Sequence, residues 1–158
     1  MSEPAREPST MTVDELVDLE MVRSIRRLYS HYVDGGDIES LSMLFTEDAV
    51  CEFGPAFGGD WVGREQIKVG YQSQFDLLGG DAFASLHAVT NASTVLTGDG
   101  TATGRHYLLD FVTTGDRDQN PLRLLGIYDD TYVKKQGRWL INHTRIDFIW
   151  PKRRIWPN

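Results

Sequence analysis

The chain is poor in cysteine, carries no long apolar run and has no excess of positive charge, and each scarcity closes off a class of function. Cys51 is the sole cysteine among 158 residues. It cannot form an intrachain disulfide, which suits a reducing compartment. No stretch of about 18 apolar residues and no leader pattern is present, so the expectation is a cytoplasmic protein with no membrane partner. Sixteen Lys and Arg face 23 Asp and Glu, for a net charge of −7, which argues against nucleic acid as a partner because phosphate binding requires a basic face. The short basic run Lys152-Arg153-Arg154 does not change that balance. Nothing resembles H-E-x-x-H, a cysteine cluster or a carboxylate-dense loop, so no metal is expected. Without a G-x-S-x-G elbow or a P-loop, serine-hydrolase and nucleotide chemistry lack support, and no cofactor is expected. Asn91-Ala92-Ser93 and Asn142-His143-Thr144 match the glycosylation pattern and are read as chance.

What is present is the composition of one globular domain, 41% hydrophobic and 25% charged. Residues 1–11 read as a disordered arm, 12–150 as the domain and 151–158 as a tail whose Trp150-Pro151…Trp156-Pro157 pattern fits packing on a neighbour or over a pocket mouth. Between Thr12 and Val33 the pattern is helical. Val22, Ile25, Tyr29 and Tyr32 form an apolar stripe, with Arg23, Arg26 and Arg27 largely off it. Gly35-Gly36 ends that helix in a left-handed cap. Asp34 then sits at a helix C-terminus, where the macrodipole disfavours a carboxylate by roughly 0.3–1 kcal/mol. A residue that breaks a local rule can be serving a site; the alternative is a plain turn from Asp34 to Asp37. Asp37 caps a short second helix with Leu41, Leu44 and Phe45 on one face. Ala49–Phe53 reads as a strand, then comes a Gly/Pro-rich loop through Asp60 and a third helix over Arg64–Leu78.

The central feature is a hairpin over Phe83–Thr113, closed near Thr97-Gly98-Asp99-Gly100. A loop of Gly98-Asp99, or of all four residues, sets His87 opposite Asp110 and Asn91 opposite His106. A loop of Asp99-Gly100 slides the pairing by two and keeps the four side chains on one face. Directly opposed residues have Cβ atoms roughly 4.5–5.5 Å apart, close enough for an imidazole–carboxylate pair. A charged loop over Gly115–Pro121 follows, and then a second hairpin, Leu122–Lys134 and Arg138–Trp150. There His143, Arg145 and Asp147 share one face, and Ile146, Phe148 and Trp150 the other. Polar sets turned to the concave side would converge on one cavity; turned outward, they would meet water. His143 is read as solvent-facing or at an interface and His31 as a surface residue. Helices, one short strand, a helix and four antiparallel strands describe an α+β domain with helices on one face of a curved sheet. A histidine oriented by a carboxylate points to general acid–base chemistry.

The order and spacing of several segments resemble the SnoaL-like group of the nuclear-transport-factor-2-like fold. They are Ile25-Arg26-Arg27-Leu28-Tyr29…Tyr32-Val33-Asp34-Gly35-Gly36-Asp37, Leu44-Phe45-Thr46-Glu47-Asp48-Ala49-Val50, Gly63-Arg64-Glu65-Gln66-Ile67, Leu86-His87…Asn91, Ala102-Thr103-Gly104-Arg105…Tyr107 and Tyr128…Asp130…Tyr132…Gly137-Arg138-Trp139…Arg145. The resemblance spans about Leu16 to Trp150 and implies a cone-shaped curved mixed β-sheet wrapped by N-terminal helices. Within the group the chain looks most like the bacterial bile-acid 7α-dehydratases, and more distantly like scytalone dehydratase and hexachlorocyclohexane dehydrochlorinase, lyases that use a His–Asp pair. Carried over, the likeness places a site tyrosine at Tyr29, an orienting aspartate at Asp34, the base at His87, a second aspartate at Asp110 and a pocket arginine at Arg145. His106 departs from a GRWYL pattern and resembles instead the second histidine of scytalone dehydratase.

The function implied is a cofactor-independent dehydratase acting on a small hydrophobic hydroxy-ketone, polycyclic ones included. The same fold also hosts isomerases, polyketide cyclases, ligand-binding modules and small subunits of ring-hydroxylating dioxygenases. Relatives of this kind are often homodimers or homotrimers, and a homo-oligomer is the expected assembly.

Overall fold

The computed structural model describes residues 11–78, 84–113 and 121–150. The expected arm over 1–11 (Met11 excepted), the charged loop up to Asn120 and the tail over 151–158 lie outside the described residues. Helix α1 spans Val13–Asp34, nucleated by a Thr12–Glu15 capping box. Its buried face carries Leu19, Val22, Ile25, Tyr29 and also Arg26. The arginine expected off the apolar stripe is fully buried; it lies four residues after Val22 and three before Tyr29, which is the buried face by helical geometry. Gly36, at φ 66°, takes the left-handed turn out of α1, and Asp37 caps α2 (Ile38–Ser42) through the Ser40 amide.

Strand β1 runs from Phe45 to Glu52, starting four residues earlier than the sequence pattern indicated. Phe45 and Thr46 are buried in sequence, and that run blurs the helical and extended periods. A two-residue strand, β2 (Trp61–Val62), pairs antiparallel with β1 and was not legible at that length. Helix α3 spans Arg64–Leu77. Four long strands complete the domain: β3 (Ala84–Gly98), β4 (Thr101–Thr113), β5 (Leu122–Lys135) and β6 (Arg138–Trp150). The sheet order is β2-β1-β6-β5-β4-β3, with β1 parallel to β6 and the other neighbours antiparallel. This is the expected mixed sheet with helices packed on its inner side, α1 lying against β3 and β6.

The turn of the central hairpin is Asp99-Gly100, both at positive φ (50° and 70°), as the right-handed twist of a two-residue hairpin requires. From that turn alone the pairing would slide by two. Two irregularities in β3, between Thr90 and Ser93 and between Leu96 and Gly98, each add one residue to β3, and His87 returns to a position opposite Asp110. Asn91 sits in the first bulge at φ 49° and is exposed, so the expected Asn91–His106 pair does not form. Along β4 burial alternates strictly, with His106, Leu108, Asp110 and Val112 inward.

Below the inner face of the sheet lies a closed polar layer. Arg26 donates to both carboxylate oxygens of Asp130, through Nε at 3.0 Å and through Nη2, and to Thr144 Oγ1 at 2.8 Å. Tyr132 and Thr144 each donate to Asp130 at 2.6 Å. These hydrogen bonds satisfy the carboxylate and offset the desolvation of the pair, while Arg26 Nη1 is buried with no hydrogen-bond partner among the described residues.

Candidate active site

A cavity of about 240 Å³ opens between the inner face of the sheet and the helices. Its walls are mostly apolar and aromatic, with Phe53, Phe57, Trp61, Leu108 and Phe148 among them, and it also takes in His87, Asp110 and Tyr29. An apolar hollow with a few convergent polar groups is the usual form of a small-molecule site.

Asp34 reaches the site because α1 ends at it, against the start of β3. Its carboxylate accepts from Ser85 Oγ at 2.7 Å, from the His87 amide at 3.0 Å and from the His87 ring at Nδ1, 2.6 Å away. These donors offset the unfavourable helix-end position. Burial pushes the Asp34 carboxyl up, but the hydrogen bonds from His87 and Ser85 outweigh it and hold the group below its ordinary value. An ionised carboxylate can only accept, so His87 carries its proton on Nδ1. The lone pair is therefore on Nε2, which stands 3.6 Å from Asp110 Oδ2. Burial pushes the Asp110 carboxyl up to about 6, against the opposing pull of His87. Its other oxygen, Oδ1, is buried with no hydrogen-bond partner among the described residues. The histidine thus stands between two carboxyl groups of opposite character, one ionised and fully bonded, the other poised near neutrality.

Tyr29, Asp34, His87 and Asp110 come together as expected. Arg145 and His106 do not join them. Arg145 lies on the outer face, ion-paired with Asp147 at 3.2 Å, because β6 alternates and gives the cavity Ile146 and Phe148. His143, half-buried, pairs with Glu52 at 2.9 Å, and His31 is exposed. His106 points inward but into the closed polar layer, with Nε2 3.1 Å from the Tyr132 hydroxyl. Burial lowers its ring to about 4, so it is neutral, and because Tyr132 gives its proton to Asp130, Nε2 is the donor to Tyr132. Sequence reasoning missed Arg26, Tyr71, Tyr128 and Ser85. The signal for Ser85 was its place two residues before His87 on the same strand face. Tyr71 read simply as part of an apolar helix stripe. Among the described residues no group of three His, Cys, Asp or Glu side chains is placed to hold a metal ion, and no helix is long and apolar enough to cross a membrane.

A family model for the SnoaL-like domain matches residues 14–145. The chain belongs to the SnoaL-like family. No curated protein matches it. Among solved structures it is similar to a proposed scytalone dehydratase from Novosphingobium aromaticivorans, with 21% identity over 93% of this chain and 94% of that one and a TM-score of 0.79. A type 2 hexachlorocyclohexane dehydrochlorinase aligns with 14% identity over 92% and 98% of the two chains and a TM-score of 0.74. ActVI-ORFA from Streptomyces coelicolor aligns with 18% identity over 82% and 96% and a TM-score of 0.69. At these identities the likeness is one of fold. The SnoaL-like fold supplies the hollow, and the chemistry rests on the side chains within it.

Proposed function

We propose that this protein is a lyase of the dehydratase type, removing water from a compact hydrophobic hydroxy-ketone by general acid–base catalysis on its own side chains. The observation that carries the reading is His87, held at Nδ1 by ionised Asp34 with Nε2 presented to an apolar cavity beside Asp110. In the reaction, Nε2 takes a proton from the carbon α to the carbonyl, and the C–H electron pair moves into the enolate. As the carbon–carbon double bond forms, the β carbon–oxygen bond breaks and the departing hydroxyl leaves as water with a proton from the imidazolium or from Asp110. Asp34 fixes the tautomer and steadies the imidazolium. Tyr29 donates to the substrate oxygen.

Of the five positions matched to the bile-acid 7α-dehydratases, Tyr29, His87 and Asp110 line the cavity, Asp34 holds His87 at Nδ1, and Arg145 faces away. That pattern supports the chemistry more than the steroid substrate. The volume points the same way, since sites for drug-sized ligands run to roughly 300–1,000 Å³. The test is turnover of β-hydroxy-ketones, free and as coenzyme-A thioesters, in heavy water with mass-spectrometric readout. Water loss that disappears in His87→Ala, with the circular dichroism spectrum unchanged, is the expected result; full activity in that variant rejects the mechanism. A second reading, isomerisation, draws on Asp110, whose carboxyl is poised to return a proton to carbon. Deuterium uptake without water loss identifies it.

A further inference from the structure

Three tyrosines from three different elements bring their hydroxyls together at the deep end of the cavity: Tyr29 on α1, Tyr71 on α3 and Tyr128 on β5. The Tyr29 and Tyr71 hydroxyl oxygens are 2.7 Å apart and those of Tyr29 and Tyr128 are 3.5 Å apart. All three residues are buried, and all three line the cavity. Three phenols bring three protons, but the cluster contains two oxygen–oxygen contacts, each able to use one. Among the described residues no other acceptor reaches these hydroxyls, so at least one proton has no protein partner. A buried donor left without an acceptor is costly, and the only space open to this one is the cavity.

The Arg26 guanidinium lies behind two of the rings, 4.3 Å from the centroid of Tyr29 and 4.0 Å from that of Tyr128. Its charge, reduced by the pairing with Asp130, draws negative charge toward the Tyr29 and Tyr128 hydroxyls, against the burial that pushes both phenols up. On the other side, the Tyr29 and His87 rings meet edge-on with centroids 6.4 Å apart. The phenol cluster and the imidazole therefore line adjoining parts of one cavity.

We propose that Tyr29, Tyr71 and Tyr128 together form the binding site for a substrate oxygen, a carbonyl that gains negative charge as the enolate forms. Tyr71 and Tyr128 are thereby catalytic residues alongside Tyr29. The inference builds on the acid–base reading above by assigning the end of the pocket at which the oxygen sits.

The test is a pair of binding probes that differ by one oxygen, 1-indanone and indane, titrated against the full chain by calorimetry and NMR. A ketone surrenders more hydration than a hydrocarbon on entering an apolar cavity, so a pocket without a donor prefers indane. The expected result is the reverse, a preference of about tenfold for indanone, the size of a good net hydrogen bond. The carbonyl stretch of bound indanone should fall to lower frequency than in an apolar solvent. In Tyr29→Phe/Tyr71→Phe/Tyr128→Phe the preference should shrink to about twofold or less and the stretch should move back, with indane affinity unchanged. His87→Gln should keep both. Equal binding of the two probes, an unchanged preference in the phenylalanine variant, or a preference lost only in His87→Gln would each overturn the assignment. None of these readouts needs turnover, so loss of the dehydratase reading and loss of this site are separable.

Discussion

Asp110 and His106 stand four residues apart on one strand face, and burial moves them in opposite senses. The Asp110 carboxyl, ordinarily at 3.8, rises to about 6, so the folded state holds this proton more tightly than the unfolded chain. Stability from this group is present below the unfolded value and is lost as pH rises through the folded one. We expect Asp110→Asn to gain on the order of 3 kcal/mol relative to wild type at pH 8, with little gain at pH 3, as read from urea midpoints. The same variant should lose turnover, because it cannot exchange a proton with His87 or the leaving group. His106 has the opposite sign. Its ring falls from 6.5 to about 4, so the unfolded chain binds the proton first and stability drops as pH falls between those values. Between pH 7 and pH 4 this group costs the folded state about 3 kcal/mol, close to what Asp110 returns over the same interval, so His106→Gln, at a cost of about 1 kcal/mol at pH 7, should expose a rise in stability of about 2–3 kcal/mol toward pH 4. A variant whose stability changes between pH 7 and pH 4 no differently from wild type would assign the acid sensitivity elsewhere.

At the scale of the element, α3 contains a glycine whose conservative replacement should do harm. Alanine in a helix interior ordinarily gains about 0.5–1 kcal/mol over glycine. At Gly70 an added Cβ would lie 2.5 Å from the Trp61 indole, and Trp61 forms part of the cavity wall. We expect Gly70→Ala to destabilise by roughly 1–3 kcal/mol and to shift the tryptophan emission, the mark of an overpacked wall. A rise in melting temperature would show that the indole moves freely. The hairpin illustrates what a sequence discloses at this scale. The parity of His87 and Asp110 was readable, since side chains alternate whatever the turn. The turn and the bulges were not, because an Asn at positive φ costs little and leaves no hydrophobic signature. For β6 alternation left open which face turns inward, and the family likeness placed Arg145 with the site. The structure turns that face outward, so a period of two gives the set of residues but not the side.

For the whole molecule, helix stripes, turn residues and the order of elements made the α+β class legible, and the mixed sheet came from the family likeness. The site was legible as far as Tyr29, Asp34, His87 and Asp110. Arg26, Tyr71 and Tyr128 were not, because they meet across 42 to 104 residues of sequence and only the closed fold brings them together. The expected homo-oligomer is argued at this scale too. Leu86, Tyr107, Leu109, Phe111 and Leu125 share the outer face of β3, β4 and β5, each more than a third exposed. A second copy of the chain is the occupant we expect there, joined as a homodimer or homotrimer. Analytical ultracentrifugation should give a mass of two or three chains, and Leu109→Glu/Phe111→Glu should yield monomers that remain folded. A wild-type monomer at micromolar concentration would remove the expectation.

The parallel pairing of β1 with β6 also sets the order of events during synthesis. Phe45 lies beside Ile141 in the sheet, so the first long strand has no partner on that edge until Ile141 has been made. At ribosomal rates of roughly 5–20 residues per second, β1 waits about 5–20 s with its inward-facing Phe45, Ala49 and Cys51 uncovered. The nascent chain is most vulnerable to aggregation in that interval, when α1 and β1 exist as apolar surfaces without a sheet to receive them. The cavity wall to which Ile146 and Phe148 belong can close only after β6 has been made.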